Sequence, residues 1–554
     1  ERNAQGRHIE NLKGTVQLSA TLNKQIDNAL KSFEFKYKKS DIQKAKIKFS
    51  KSVDRMFNDI IENRTGIEWY KEYSPVKAKT EGSSKGKFKF FIPPSAEDFV
   101  GLLYKTLGKG KVGDAQMAWY KQHLLDPFAR AMENITKDRM QLISDFKILK
   151  KGLIGIPKNL RKKAFEGYTY ENIIRVHIWN KQGMNIPGLS KKDLANVNDF
   201  IKKNPELEVF AEQLININKG DAYAKPGDAW LAGTITTDLI NTLNTTKRVR
   251  YLEEWQTNAD LIFSEKNLNK LEAAFGSNYR SAIENMLIRM KTGRNRTSTG
   301  GRLENRVLDY INNSVGAVMF FNMRSAVLQG ISAINFMNWT DNNPLTAGTA
   351  FANQPRYWSD FMKLMNSDFL VDRRNGLKIN VSESEIADAA KTSANKAKGV
   401  ISYILSKGFI PTKFMDSFAI ASGGATFYRN RINTYIKEVD ADGNKVYTKE
   451  EAEAKAFKDF REIAEESQQS ARPDRISQQQ ASGLGRVILA FANTPMQYTR
   501  IMKKATQDLV NGRGDYRSNI SKIVYYGAIQ NVIFNALQQA VFALAWDDEE
   551  DDEK

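Results

Sequence analysis

Three patterns in the chain combine residue types and spacings that chemistry uses. Gly108-Lys-Gly-Lys-Val-Gly113 has the glycine spacing of a dinucleotide-binding turn. Such a turn works between a strand and a helix, where glycines let a pyrophosphate approach backbone amides. Here Phe99–Leu107 reads as a helix, so Gly108–Gly113 is expected to be a flexible basic loop. Asp440, Asp442 and Asn444 with Glu451 have the oxygen donors of a calcium loop, but Gly443 falls at the fourth position instead of the sixth. The chain then cannot turn to bring the ligands together, and a hairpin turn is expected. His8, His123 and His177 are far apart, and none is spaced i, i+4 from another ligand. A zinc or Ser-His-Asp centre would need long-range convergence. The absence of cysteine removes thiolate zinc sites, cysteine nucleophiles and disulfides. No metal or cofactor is expected.

A fourth pattern points to hydrolysis. Glu465-Glu466-Ser467 precedes Arg472-Pro473-Asp474 and Ala481-Ser-Gly-Leu-Gly485. This resembles the Glu-Ser signature of lytic transglycosylases, in which a buried glutamate protonates the glycosidic oxygen. That chemistry needs a carboxyl whose pKa is raised in a cleft. The family's Met-Gln after Gly-Leu is replaced by Gly485-Arg486. Asp459, Glu462, Glu465 and Glu466 share one helix and read as a solvated face. Glu466 is the catalytic candidate of this alternative; the main expectation is that the chain has no catalytic residue.

Charge points to binding. The net charge is +19, but Asp547–Lys554 alone holds seven acids and one lysine, so residues 1–546 carry +25. A body so basic is drawn to nucleic acid, anionic lipid or acidic partners. Two clusters could carry such binding. Lys147, Lys150, Lys151, Lys158, Arg161, Lys162 and Lys163 surround a Gly-Pro bend, while Arg289, Lys291, Arg294, Arg296, Arg302 and Arg306 span a Gly/Ser/Thr loop. Arginines fork onto phosphate oxygens, and loop amides add contacts. Without a helix-turn-helix, finger or RNA-recognition signature, binding is expected to ignore base sequence. Solvated surface charge is the competing reading.

The elements that position these residues are predicted to be helices. A 41% hydrophobic content fills sizeable cores in 554 residues, enough for two to four packing units. Ser95 after Pro93-Pro94 is a candidate N-cap, and Thr448 with Glu451 fits a capping box. Val439–Val446 reads as a short β-hairpin, and Lys87–Ile92 alternates like a brief strand. Breaks fall at Lys77–Gly86, Lys150–Pro157, Gly220–Gly227 and Lys291–Gly301. The expected architecture is a mainly α, multi-domain, elongated helical assembly with short β-hairpin insertions. Its parts would be a basic N-terminal region (1–245), a C-terminal region with apolar helices (246–546) and an acidic tail (547–554).

The terminal helix is distinctive. Ile523–Trp546 runs 24 residues without a charge, long enough to cross a bilayer. Gln530, Asn531, Asn535, Gln538 and Gln539 fall within one half-circle of it. An oligomeric bundle or pore with amides inward suits this pattern, and so does a buried core helix. A second uncharged run, Ile311–Met323, is too short to span.

Several segments resemble one family. Phe418-Ala-Ile-Ala-Ser-Gly-Gly-Ala-Thr-Phe-Tyr-Arg-Asn-Arg431, Ser477-Gln-Gln-Gln-Ala-Ser482, Phe491-Ala-Asn-Thr-Pro-Met-Gln-Tyr498, Asn519–Gly527, Phe90–Phe99 and Asp341-Asn-Asn-Pro344 are similar to the C-terminal portion of large virion-associated proteins of tailed bacteriophages, including marine and crAss-like phages. The resemblance implies an internal virion protein carried in the capsid or tail and delivered with the genome to the host envelope or cytoplasm. Cutting from a polyprotein, common in that family, would suit a chain beginning at Glu1. Implied partners are portal, tail or cargo proteins, copies of itself, phage DNA bound without sequence preference, and a host membrane. The expectation is thus a structural cargo or DNA-ejection protein without catalysis. The alternatives are a peptidoglycan-cleaving ejection protein and a non-enzymatic scaffold of a packaged polymerase.

Overall fold

The computed structural model of this chain describes residues 39–65, 94–153, 155–157, 159–165, 167–218, 223–227, 230–293, 336, 341–378, 397–467, 470, 472–481 and 493–529. Of these, 78% are helical, and the only sheet among them has two strands, so the chain is mainly α as its periodicity predicts.

The helices are α1 (Lys39–Thr65), α2 (Phe99–Tyr104), α3 (Gly110–Tyr120) and α4 (Asp126–Lys151). Strands β1 (Lys163–Phe165) and β2 (Tyr168–Thr169) pair antiparallel across Gly167, whose φ of 90° only glycine adopts readily. There follow α5 (Tyr170–Lys181), α6 (Lys191–Lys203), α7 (Pro205–Ile217), α8 (Ile235–Tyr251), α9 (Glu253–Ile262), α10 (Glu265–Phe275) and α11 (Ser277–Thr292). The C-terminal part has α12 (Pro344–Ala352), α13 (Gln354–Met365), α14 (Asp368–Lys378), α15 (Ala397–Lys437), α16 (Lys449–Ser467), α17 (Gln478–Ala481), α18 (Asn493–Asn511) and α19 (Tyr516–Val524).

Side-chain caps set many helix starts. Thr169 and Asn172 close a reciprocal box at α5, Ser190 caps α6, and Thr234 caps α8. Thr448 and Glu451 form the expected box at α16. The cap expected at Ser95 sits three residues later, at Asp98, which accepts from the Gly101 amide; Pro94–Ala96 is a single 3-10 turn. Val439 and Lys445 bridge antiparallel, and Asp440 accepts from the amides of Asp442 and Asn444, so this segment is the expected hairpin turn. Gly108–Gly113 departs from expectation: Gly110 opens α3, making four of the six residues of the presumed loop helical. The Lys87–Ile92 strand lies outside the described residues.

Three apolar clusters hold most of the described residues together. The first joins α1–α3 and the start of α4 to α9–α11, around Phe57, Phe99, Phe128 and Trp255. The second packs the rest of α4 on α5–α8, around Trp179, Phe210 and Trp230. The third joins α13–α16, with Phe460 at its centre. There, Gly424 of α15 lets the Phe460 ring approach so closely that a Cβ would sit 2.2 Å from it. Gly424, the second glycine of the Phe418–Arg431 segment, is therefore a helix-contact device.

The expected division at residue 245 is corrected. It falls inside α8, and the first cluster draws residues from both sides of it, Val53 to Ala131 and Leu252 to Met290. Helix α4 is shared as well, giving Phe128 to one cluster and Phe146 to the other.

Candidate functional site: a basic ridge and a buried ionic seam

The first basic cluster forms a surface ridge. Lys147, Lys150 and Lys151 end α4; Arg161 and Lys162 lead into Lys163, the first residue of β1. All are exposed except Lys150, which is half-buried. Lys150 and Arg161 both act electrostatically on Glu171, placing the helix end and the hairpin beside the start of α5. Burial raises the Glu171 carboxyl, while its bond from the Ile235 amide and these cations oppose the rise. Among the described residues, Lys147, Lys151, Lys162 and Lys163 make no ion pair. Lys158 lies outside them.

The second cluster does not hold together as expected. Arg289 is buried, donating to the Ile476 carbonyl at 2.7 Å, and so is a packing residue and no ligand for phosphate. Lys291 is exposed at the end of α11. Arg294, Arg296, Arg302 and Arg306 lie outside the described residues, as do Gln530, Asn531, Asn535, Gln538 and Gln539. The start of the uncharged C-terminal run is described: α19 gives way to a π turn, Tyr525–Ile529, whose Tyr525 and Tyr526 pack near Tyr498 and Ile501. Among the described residues, no helix is long and apolar enough to cross a membrane.

The Glu465–Glu466 region is not the solvated face expected of it. It belongs to a seam of charged side chains between α16, the 470–477 loop, Pro94–Phe99 and α18. Glu462 accepts from Arg472 at 2.8 Å and Arg475 at 3.0 Å, and these guanidiniums, with Arg461, outweigh burial and hold its carboxyl well below the usual range. Arg472 also pairs with Asp474 at 2.7 Å. Lys503 contacts Glu97, both of them buried. Arg500 donates to the Ala96 and Arg475 carbonyls and to Gln480 at 2.7 Å. The Asp474 carbonyl accepts from the Phe99 amide at 2.9 Å.

Glu466 pairs with Lys504 at 2.6 Å. Desolvation would raise its carboxyl, but Lys504, then Arg475 and Lys522, pull it down to about 2. It is held ionised, whereas a glycosidic general acid must hold its proton. Glu465 contacts Ser470. The geometry therefore withdraws support from the hydrolytic assignment of Glu466.

The seam continues along α18. Arg513 pairs with Asp508 at 2.8 Å and donates to the Leu107 and Gly108 carbonyls, and Asp508 accepts from Tyr104 at 3.1 Å. Gly113 leaves room for Arg513, whose Cδ would meet an added Cβ at 2.5 Å. An added Cβ at Gly113 would also meet the Gly108 carbonyl oxygen at 2.2 Å, so this glycine serves close packing.

His123 packs at a tilt against the Phe49 and Trp119 rings, and His177 lies near Glu208, 3.9 Å away. Among the described residues, no three His, Asp or Glu side chains group as a metal site would require.

Glu97, Asp474, Arg475, Arg500, Lys503 and Lys504 were missed as a group by sequence reasoning. Their signal is the i, i+3, i+4 spacing of Arg500, Lys503 and Lys504, a cationic stripe on α18 opposite the acids of α16. The described parts of three family-like segments, Pro94–Phe99, Ser477–Ala481 and Met496–Tyr498, lie in or beside this seam. Comparison with protein-family models, curated proteins and solved structures returns no match.

Proposed function

We propose that this chain is an internal structural or cargo protein of a tailed-phage particle, resting against the packaged genome through sequence-blind contacts. The observation that carries the binding part is the ridge. Inward cations such as Arg472, Arg475 and Lys504 are matched by carboxylates. Lys147, Lys151, Lys162 and Lys163 instead point to solvent without an ion pair among the described residues. Cations left free on a surface are available to displace counterions from phosphate. The particle assignment is supported by the family-like segments and by the basic body. Portal, tail or cargo proteins and further copies of the chain are the partners of this reading.

The test is duplex binding across a salt series. Random duplex should bind with affinity that falls steeply with salt, and Lys151→Glu/Lys162→Glu/Lys163→Glu should lower the logarithmic slope by about 3. Salt-independent binding, or strong preference for one sequence, overturns it. Mass spectrometry of purified particles tests the location.

A further inference from the structure

The outer face of α12 and α13 is apolar in a way that the cores do not explain. Leu345 is 82% exposed, Phe351 49%, Trp358 48% and Met362 52%. Gly348, Ala352 and Pro355 are exposed between them. On α12 these side chains recur at i, i+3 and i+7, and on α13 at i, i+3 and i+7 again, so each helix turns one stripe outward. Asn342–Pro355 contains no charged residue, although 27% of the chain is charged. The stripe is held on a rigid base. Asn342 is buried and bonds to the Phe336 carbonyl and to Asn430, and Asn343 caps α12 by accepting from the Leu345 and Thr346 amides. The Asp-Asn-Asn-Pro segment is thus an anchor and a cap for this tip.

Charge selects what the tip meets. Two acids beside the tip are neutralised within the fold: Asp341 pairs with Arg431 at 3.0 Å and Asp360 with Arg429 at 2.6 Å. The outward charges on α12 and α13 are Arg356 and Lys363, both positive, and Lys363 reaches Glu453 at 2.7 Å. With Lys363 balanced by Glu453, the unbalanced charge of the face is Arg356, which two copies meeting here would bring together without a counter-charge. A surface with an apolar interior and anionic headgroups complements it. Indole and phenyl rings beside a cation suit the boundary between headgroups and acyl chains.

We propose that the α12–α13 tip docks on an anionic lipid bilayer, its apolar side chains entering the acyl boundary and Arg356 meeting the headgroups. The helices lie on the membrane and do not cross it: at 1.5 Å per residue they span about 14 and 18 Å, short of the roughly 30 Å hydrocarbon core. This inference is independent of the polyanion ridge and of residues 530–546.

Flotation of the full chain with phosphatidylcholine vesicles, with and without phosphatidylglycerol, tests it. The chain should float with the anionic vesicles, and Leu345→Glu/Phe351→Glu should reduce the bound fraction at least about tenfold. Lys162→Glu/Lys163→Glu should keep flotation while weakening duplex binding, because a ridge that merely attracts anionic vesicles would lose both. Leu345 and Phe351 are exposed, so the thermal transition should not move; should it move, Leu345→Ser carries the same test. Equal flotation by the apolar variant, flotation lost with the ridge charges, or no flotation at all overturns the proposal. So does a self-associated chain that Leu345→Glu/Phe351→Glu makes monomeric while vesicles leave both forms unbound.

Discussion

Around Trp255 the chain is held by Phe128, Leu252, Ala259 and other uncharged side chains. Around Lys503 it is held chiefly by Glu97, Arg500, Lys504, Glu466 and backbone carbonyls. Among the described residues, the apolar cluster of α18 and the π turn after α19 has three buried members, Ile501, Tyr525 and Tyr526. The two regions fix their neighbours by different physics. Apolar packing is non-directional and loses free energy roughly in proportion to the volume removed. A buried ion pair owes much of its importance to the cost of leaving one partner alone. The first region should therefore respond to single substitutions additively and the second in pairs.

The largest expected effect is Trp255→Ala, which empties a buried ring site and should cost about 3–5 kcal/mol in urea unfolding. No second apolar deletion nearby should restore it. Lys503→Met should cost about 3 kcal/mol by stranding the Glu97 carboxylate, which is 1% exposed. Adding Glu97→Leu should recover most of that loss. If the double variant is no better than the single one, the seam is ordinary packing and the contrast between the regions fails.

The pH response separates the regions further. The folded-state pKa of Glu466 is lowered to about 2 from an ordinary 4.5, by Lys504, Arg475 and Lys522 acting against desolvation. A depressed carboxyl contributes stability that is present above pH 4.5 and lost as pH falls from there through 2. Because the side chain is 36% exposed, solvent screening reduces the contribution to the order of 1 kcal/mol. Hydrogen-exchange protection of α18, taken relative to intrinsic amide exchange at each pH, should fall between pH 4.5 and 3, and Glu466→Gln should flatten that dependence. Protection that does not fall as acid is added, or a dependence unchanged in Glu466→Gln, removes Glu466 from the seam.

The same contrast explains what the sequence made legible. Helices show through because their apolar period and caps are local: Thr448 with Glu451, or the turn at Asp440–Asn444, needs only neighbouring residues. The seam is not local. Glu462, Glu465 and Glu466 have the spacing of a solvated face, and what buries them lies elsewhere; Lys504 is 38 positions from Glu466, and Lys503 is 406 from Glu97. The boundary at 245 was misplaced for a related reason. Leu243 of α8 packs in one cluster and Leu252, just beyond it, in another, and an unbroken helical period hides that handover. Lys147–Lys163 was legible as a cluster because its members adjoin in sequence, whereas Arg289, equally basic in sequence, turns inward to a carbonyl 187 positions away.

The smallest expected effect on stability is also the sharpest check on the division of charge. Lys162 and Lys163 are exposed at the β-hairpin and make no ion pair among the described residues. Lys162→Glu/Lys163→Glu should therefore change unfolding free energy by no more than about 0.5 kcal/mol, as surface substitutions away from special contacts do. Lys504→Glu, also a lysine-to-glutamate reversal, places a carboxylate beside Glu466 and Asp98 and should destabilise the docking of α18 severely. Duplex binding should show the opposite order, weakened by the ridge reversal and unchanged by any Lys504 variant that still folds. Should the ridge reversal unfold the chain, its lysines are structural, and the surface charge loses its claim to be the binding site.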